Sequence, residues 1–259
     1  MEQSVIESLA AQLVRADEMH TRIEPFTRAH PELTLAEAYR IQLAYVAQRV
    51  ARGACVVGKK LGATGKAIQQ ALGITHPLSG FLFANDFSER EPIVFAKRFE
   101  PRVEPELAFV INRRLAGRVT VDDVLNATEG VRPAFEVPDC LLTTWQAPAT
   151  DVVAANVNSC GFVLGAKLTP VRDLDLRTTG VVVEKNGEII GTNATAAVLG
   201  SPALAVAWLA NALGEQGHAI EPGDVVLTGS LTPMLQVQVG DVFTTTFGSG
   251  IGSVRVRFV

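Results

Sequence analysis

The sequence predicts an α+β fold, because two amphipathic helices open the chain, short β-branched runs dominate from Cys55 onward, and two helical stretches interrupt those runs. The order is helices first and strands afterwards, not the strict alternation of a doubly wound sheet. The change near Gly53 divides the chain into an N-terminal helical region, 1–53, and a β-rich domain, 54–259.

Ile6, Leu9, Ala10, Leu13 and Val14 recur with the spacing of one helix face packed on a core. A second helix starts at the capping-box sequence Thr34-Leu35-Ala36-Glu37, continues through Tyr39, Leu43, Val46 and Val50, and stops at Gly53. Cys55-Val56-Val57 and Val181-Val182-Val183 read as strands. Asn186-Gly187, between Val181–Lys185 and Glu188–Ile190, is a two-residue hairpin signal, since both residues tolerate positive φ. Leu235–Val239 and Val254–Phe258 alternate apolar with polar residues, as half-buried antiparallel strands do. Helices are expected over 121–127, after Thr120, and from Pro202 to Leu213 with Ser201 as N-cap.

The 259 residues are 47% apolar, enough to fill a sizeable core, and the net charge of −4 argues against a nucleic-acid partner. Cys55, Cys140 and Cys160 are odd in number and widely spaced, which suits a reducing, cytoplasmic compartment better than a disulfide framework. Residues 189–214 carry no charge, but Thr192, Asn193 and Thr195 are polar and Gly200-Ser201-Pro202 breaks the run, so a buried helix is expected there and no membrane span.

Several catalytic signatures are excluded. Gly65 lacks the glycine five positions earlier that a P-loop needs, and Ala67 stands where the magnesium-binding hydroxyl would be. Gly248-Ser249-Gly250-Ile251-Gly252 opens no helix and reads as a turn. The four histidines, His20, His30, His76 and His218, show no zinc-protease spacing, and no Gly-x-Ser-x-Gly elbow occurs.

The informative segment is Val103–Ile111. As a strand it sends Glu104 and Glu106 to one face and Leu107, Phe109 and Ile111 to the other. Pro105 lacks an amide hydrogen and suggests an edge or a bulge. A third acid, Glu136, is set among the apolar residues of Pro133-Ala134-Phe135-Glu136-Val137. Three such carboxylates repel one another unless a cation neutralises them, and all-oxygen ligation suits Mg²⁺ or Mn²⁺ better than zinc. The alternative is that the glutamates face solvent on one side of a sheet. Lys59 and Lys60 end a short β run before a glycine-rich turn, where they could equally be edge gatekeepers.

Gly58-Lys59-Lys60-Leu61-Gly62, Pro101-Arg102-Val103-Glu104-Pro105-Glu106 and Pro133-Ala134-Phe135-Glu136-Val137 occur in that order, with Gly80-Phe81-Leu82, Leu227-Thr228-Gly229-Ser230 and Gly250-Ile251-Gly252-Ser253-Val254 around them. Together they resemble the 2-keto-4-pentenoate hydratase and 4-oxalocrotonate decarboxylase family, within the fumarylacetoacetate hydrolase superfamily. The resemblance covers nearly the whole chain. It implies a mixed β-roll with an N-terminal helical part, a homo-oligomer, and Mg²⁺ or Mn²⁺ held by Glu104, Glu106 and Glu136. It also implies Lys60 as the active-site lysine and substrate contacts from Leu61, Asn156, Ser159 and Thr228.

A lysine beside a dication should have its pKa lowered by like-charge repulsion and exchange a proton near neutrality. The sequence departs from the family where Ala155-Asn156-Val157 stands for the usual Asp-Asn-Ala, and where Ser201 replaces a common histidine. The leading reading is a metal-dependent hydratase that adds water to a 2-hydroxy-2,4-dienoate in aromatic meta-cleavage catabolism. Decarboxylation of 2-oxo-3-hexenedioate, with Arg102 or Arg132 meeting the second carboxylate, is the alternative. A third reading is a non-catalytic partner that stabilises a companion pathway enzyme.

Overall fold

The structure is a computed structural model and describes residues 1–85 and 87–259. α1 (Gln3–Glu18) buries Ile6, Leu9, Ala10, Leu13 and Val14, the stripe its sequence spacing requires. α2 (Leu35–Ala51) begins with the full capping box, in which Thr34 and Glu37 satisfy each other's backbone amides. Its deepest stripe is Ala38, Ile41, Gln42 and Tyr45, while Tyr39 and Leu43 lie at its border and Val50 is exposed. The expected stripe is rotated because a polar residue, Gln42, is drawn inside. Its amide donates to the carbonyls of Ser79 (2.9 Å) and Val153 (3.1 Å) and so ties the helix to the β-rich part.

Next come β1 (Val56–Gly62), α3 (Lys66–Ala71), β2 (Leu78–Phe83) and β3 (Arg102–Ile111). α4 (Val121–Asn126), capped by Thr120 and Asp123, leads into β4 (Thr128–Pro138), α5 (Ala149–Ala154) and β5 (Ser159–Leu164). β6 (Gly180–Lys185) and β7 (Glu188–Ala194) form the hairpin around Asn186 and Gly187, both at positive φ (55° and 86°). α6 (Pro202–Glu215), β8 (Val225–Leu227), β9 (Leu235–Gln236), β10 (Val242–Phe247) and β11 (Gly252–Arg257) complete the chain.

Seven strands form one sheet, in the order β2-β1-β8-β3-β4-β5 with β9 beside the start of β3, and four form a second, β11-β10-β6-β7. β1 and β8 pair in parallel and every other pair is antiparallel, so the sheet is mixed. It curls until its edge strands β2 and β5 meet. This is the mixed β-roll, with α1 and α2 packed together at one side and a continuous apolar cluster running from Ile6 and Leu13 to Leu61, Phe81 and Leu107.

Four local expectations change. Only Leu235 and Gln236 pair as a strand, opposite Val103 and Arg102, because β3 begins at Arg102 and offers nothing further to bond. The alternation beyond them reflects burial of Val237 in the second core, beside Val103 and Phe243. Pro105 sits at neither an edge nor a bulge. β3 is central, and the proline falls in the interval between its pairings with β8 and β9, where its carbonyl accepts from Leu231 N (2.9 Å) and no ladder needs its missing hydrogen. Ser201 occupies the cap position of α6, with Pro202 following, but its side chain makes no capping bond. Lys59 and Lys60 lie within an interior strand, so neither guards an edge. α6 has 14 residues and buries Ala203, Val206, Leu209, Ala210 and Leu213 in the core.

Candidate active site

Pairing β3 with β4 sets Glu104 directly opposite Glu136 and Glu106 opposite Ala134. Because alternate residues share a face, all three glutamates point into the interior of the roll. Glu106 and Glu136 are completely buried and Glu104 is partly exposed, which overturns the reading of a solvent-facing acidic strand. One oxygen from each can be chosen so that all lie within 4.8 Å of one another. β1 supplies the fourth member, Lys60, whose Nζ stands 3.0 Å from Glu136 Oε1. Lys59, one residue earlier, points the other way and pairs with Asp224 Oδ2 at 3.1 Å.

The electrostatics are those of a crowded anion cluster. Burial, reinforced by the charge of Glu136 and opposed by Lys60, pushes Glu104 up to about 7. Burial and the two neighbouring carboxylates hold Glu106 well above the ordinary range, and burial raises Glu136 despite the adjoining lysine. For Lys60, burial favours the neutral amine, but Glu136, Glu104 and Glu106 outweigh it and the pKa rises. The lowering expected beside a dication concerns the metal-loaded site; in the metal-free cluster the acids are the neighbours acting on Lys60.

The residues fit a divalent cation. Ionised, they leave two uncompensated negative charges, which one dication neutralises. Among the described residues, Glu106 Oε1 and both oxygens of Glu136 have no hydrogen-bond partner, the ammonium lying off the hydrogen-bond line, and buried carboxylate oxygens are rarely left so. The remaining oxygen of Glu106 is fixed by the Gly229 amide, which donates to Oε2 at 2.6 Å. Side-chain patterning carries no sign of this contact, since a main-chain group makes it. Its only trace is a glycine at φ 108°, where a Cβ would stand 2.5 Å from Thr64 Oγ1.

The other expected contacts are placed differently. Leu61 alternates with Lys60 and buries its side chain in the apolar cluster on the opposite face. The Asn156 amide is engaged at both ends by Phe81, accepting from its N (2.8 Å) and donating to its O (2.9 Å). Thr228 donates to the Leu107 carbonyl at 2.8 Å, and Ser159 opens β5 opposite Pro138. Ala155, where the family carries an acid, is buried at the end of α5. Arg102 lies on the face of Glu104, two residues along β3, with its guanidinium 5.0 Å from the centre of the Trp145 ring and bonded to Glu100 (2.7 Å). Arg132 is four residues from Glu136 on β4 and donates to the Ala166 carbonyl (2.9 Å).

A curled mixed sheet holding three carboxylates and a lysine at its centre defines a metal-assisted enzyme of the β-roll class. Residues 88–259 match the family model described as "Fumarylacetoacetate (FAA) hydrolase C-terminal". The chain is 39% identical over 258 residues to a 2-hydroxyhexa-2,4-dienoate hydratase of Comamonas testosteroni, covering 98% of this chain and 97% of the relative. It is 38% identical over 255 residues to a 4-oxalocrotonate decarboxylase of Pseudomonas putida, with 97% and 96% covered. The solved 4-oxalocrotonate decarboxylase from Pseudomonas putida G7, complexed with magnesium and adipate, superposes with a TM-score of 0.94 at 35% identity, covering 100% of this chain and 99% of that one. The chain belongs to the fumarylacetoacetate hydrolase family, in its branch of 2-keto-4-pentenoate hydratases and 4-oxalocrotonate decarboxylases, and is a lyase of that type.

Proposed function

We propose that the chain decarboxylates a 2-oxo-3-hexenedioate, with Glu104, Glu106 and Glu136 holding Mg²⁺ or Mn²⁺ and Lys60 handling the proton. The position of Arg102 carries the choice of a diacid. It lies two positions before Glu104, about 7 Å along β3. The two carboxylates of a six-carbon diacid are about 6 Å apart by bond lengths alone. A substrate whose 2-oxo acid end meets the carboxylate cluster would place its far end near the start of β3, where Arg102 has to exchange its Glu100 contact (2.7 Å) to meet it. Arg132, twice as far along its strand and engaged with Ala166, is the poorer candidate. Adipate in the decarboxylase of similar fold is also a six-carbon diacid.

A bound dication supplies Lewis-acid stabilisation of negative charge developing on the 2-oxo acid. Lys60, itself buried, stands beside Glu136 and can return a proton to the carbon chain after carbon dioxide leaves. The mixed sheet keeps donor and acceptors on rigid strands.

Hydration of 2-hydroxypenta-2,4-dienoate is the second reading, favoured by the 39% identity to the dienoate hydratase. The non-catalytic partner reading is weakened by the presence of every metal and proton group. We further propose a homo-oligomer working in a reducing compartment. The test is a paired assay of freshly generated 2-oxo-3-hexenedioate and 2-hydroxypenta-2,4-dienoate, following ultraviolet absorbance and carbon dioxide with Mg²⁺, Mn²⁺ or EDTA. Metal-dependent carbon dioxide from the diacid supports the proposal. Loss of the dienoate without carbon dioxide, and inertness toward the diacid, replaces it with hydration.

A further inference from the structure

Beside Lys60 the backbone does something costly. Asn156, Val157 and Asn158 follow one another at φ 54°, 53° and 54°, all left-handed. Asparagine tolerates that region, but a β-branched valine seldom enters it, and three successive residues there need support from outside. The support is visible on each residue. Asn156 is clamped to Phe81 by both ends of its amide. The Asn158 carbonyl accepts from Asp139 N at 3.0 Å. Val157 is buried, with its Cγ1 seated over Gly62 so closely that a Cβ on that glycine would stand 2.7 Å from it. Gly80 makes similar room, since a Cβ there would meet the Asn156 carbonyl at 2.9 Å and Lys60 Cδ at 3.2 Å.

The product of this arrangement is one contact: the Val157 carbonyl accepts from Lys60 Nζ at 3.1 Å. Glu136 Oε1 lies 3.0 Å away as an ion pair outside hydrogen-bond geometry, so among the described residues the Val157 carbonyl is the one directional contact on the ammonium, which keeps N–H groups for a reacting molecule. We propose that the left-handed turn 156–158 is a positioning device for Lys60, with Val157 as its wedge: the strained backbone aims a carbonyl that fixes the direction of the free N–H. This rests on the reading of Lys60 as the proton-handling group. Strain of this kind persists where function uses it.

The experiment removes the two methyls of Val157 and returns one carbon from the Gly62 side of the contact. Val157→Ala removes the wedge and should fold, since it only shortens a side chain. Its expected effect is a fall in kcat of about tenfold with KM and Mn²⁺ affinity unchanged, as a displaced catalytic group produces. Adding Gly62→Ala refills the space from the other side, and the double variant should recover kcat to within about twofold of the parent. Carbon-13 relaxation at Lys60 Cε should follow the same order without any turnover: rigid in the parent, mobile in Val157→Ala, rigid again in the double variant. A Lys60 as rigid in Val157→Ala as in the parent overturns the proposal. So does a double variant that regains thermal stability but not kcat. Lys60→Met separates the two claims. If it keeps full turnover the reading of Lys60 fails, whereas a kcat loss from Val157→Ala that persists in the Lys60→Met background shows that the turn acts on something else.

Discussion

Stripping the divalent cation and raising the pH should destabilise this protein, because the fold then confines carboxylates that prefer to be protonated. Glu104 shows the size of the effect. Burial beside Glu136 pushes its pKa up to about 7 in the folded protein, from 4.5 for an unperturbed glutamate. A raised folded-state pKa contributes stability that is fully present below the unfolded value and is lost as pH rises through the folded one. A shift of this size corresponds to about 3 kcal/mol, and partial exposure of the side chain reduces it by screening to about 2 kcal/mol. Glu106 and Glu136 shift in the same direction and add to the loss.

For a chain of this length, 2 kcal/mol corresponds to a fall in Tm of about 4–8 °C. The assay is thermal unfolding by circular dichroism at pH 5, 6, 7 and 8, in EDTA and in saturating Mg²⁺ or Mn²⁺. With EDTA the Tm should drop between pH 5 and pH 8; with metal the drop should vanish or reverse, since a cation bound to ionised carboxylates stabilises the folded state. Glu104→Gln should flatten the EDTA curve. A Tm in EDTA that is level across this range, and equal to the Tm with metal, would refute the buried-anion argument.

Lys60→Met should reduce turnover at least a hundredfold, read by initial rates, while tightening Mn²⁺ binding by removing the competing cation. Gly229→Ala should weaken Mn²⁺ affinity about 10- to 100-fold by electron paramagnetic resonance titration, because its Cβ would meet Thr64 and pull the amide from Glu106. Arg102→Gln should raise KM for 2-oxo-3-hexenedioate at least tenfold and leave 2-hydroxypenta-2,4-dienoate unaffected; equal effects on both would remove the distal-carboxylate role.

Alternation alone puts Glu104 and Glu106 on one face and makes the acids a candidate cluster, whereas Lys60 was singled out from Lys59 only by the family resemblance. Burial was not legible: an exposed strand carrying Glu-x-Glu has the same sequence pattern, and only the curl of the sheet decides between them. The helices were readable from caps and stripes, although α2 turned further than its apolar residues indicated because the two carbonyls available to Gln42 outweighed the pattern. Main-chain groups left no trace. The Gly229 amide and the Val157 carbonyl are defined by φ angles and by clearance over glycines, and no side-chain reading could have assigned them. Arg102 and Arg132 stood level in the sequence and were separated by their places on β3 and β4.

The parallel pairing of β1 with β8 has a consequence for how the enzyme is made. β3 and β4 are neighbours in sequence and can join as soon as both leave the ribosome, bringing Glu104 and Glu136 face to face. β8 lies between β1 and β3 in the finished sheet, yet it is among the last segments synthesised. Until Val225–Leu227 arrives, the strand bearing Lys60 has no hydrogen-bonded seam to the strand bearing the acids, and only the approach of β2 to β5 joins the two halves. The nascent chain therefore carries its carboxylates together before their lysine can be locked beside them, and such long-range closure is slow. A metal ion captured at that stage would act as a folding template for the site as well as its later cofactor.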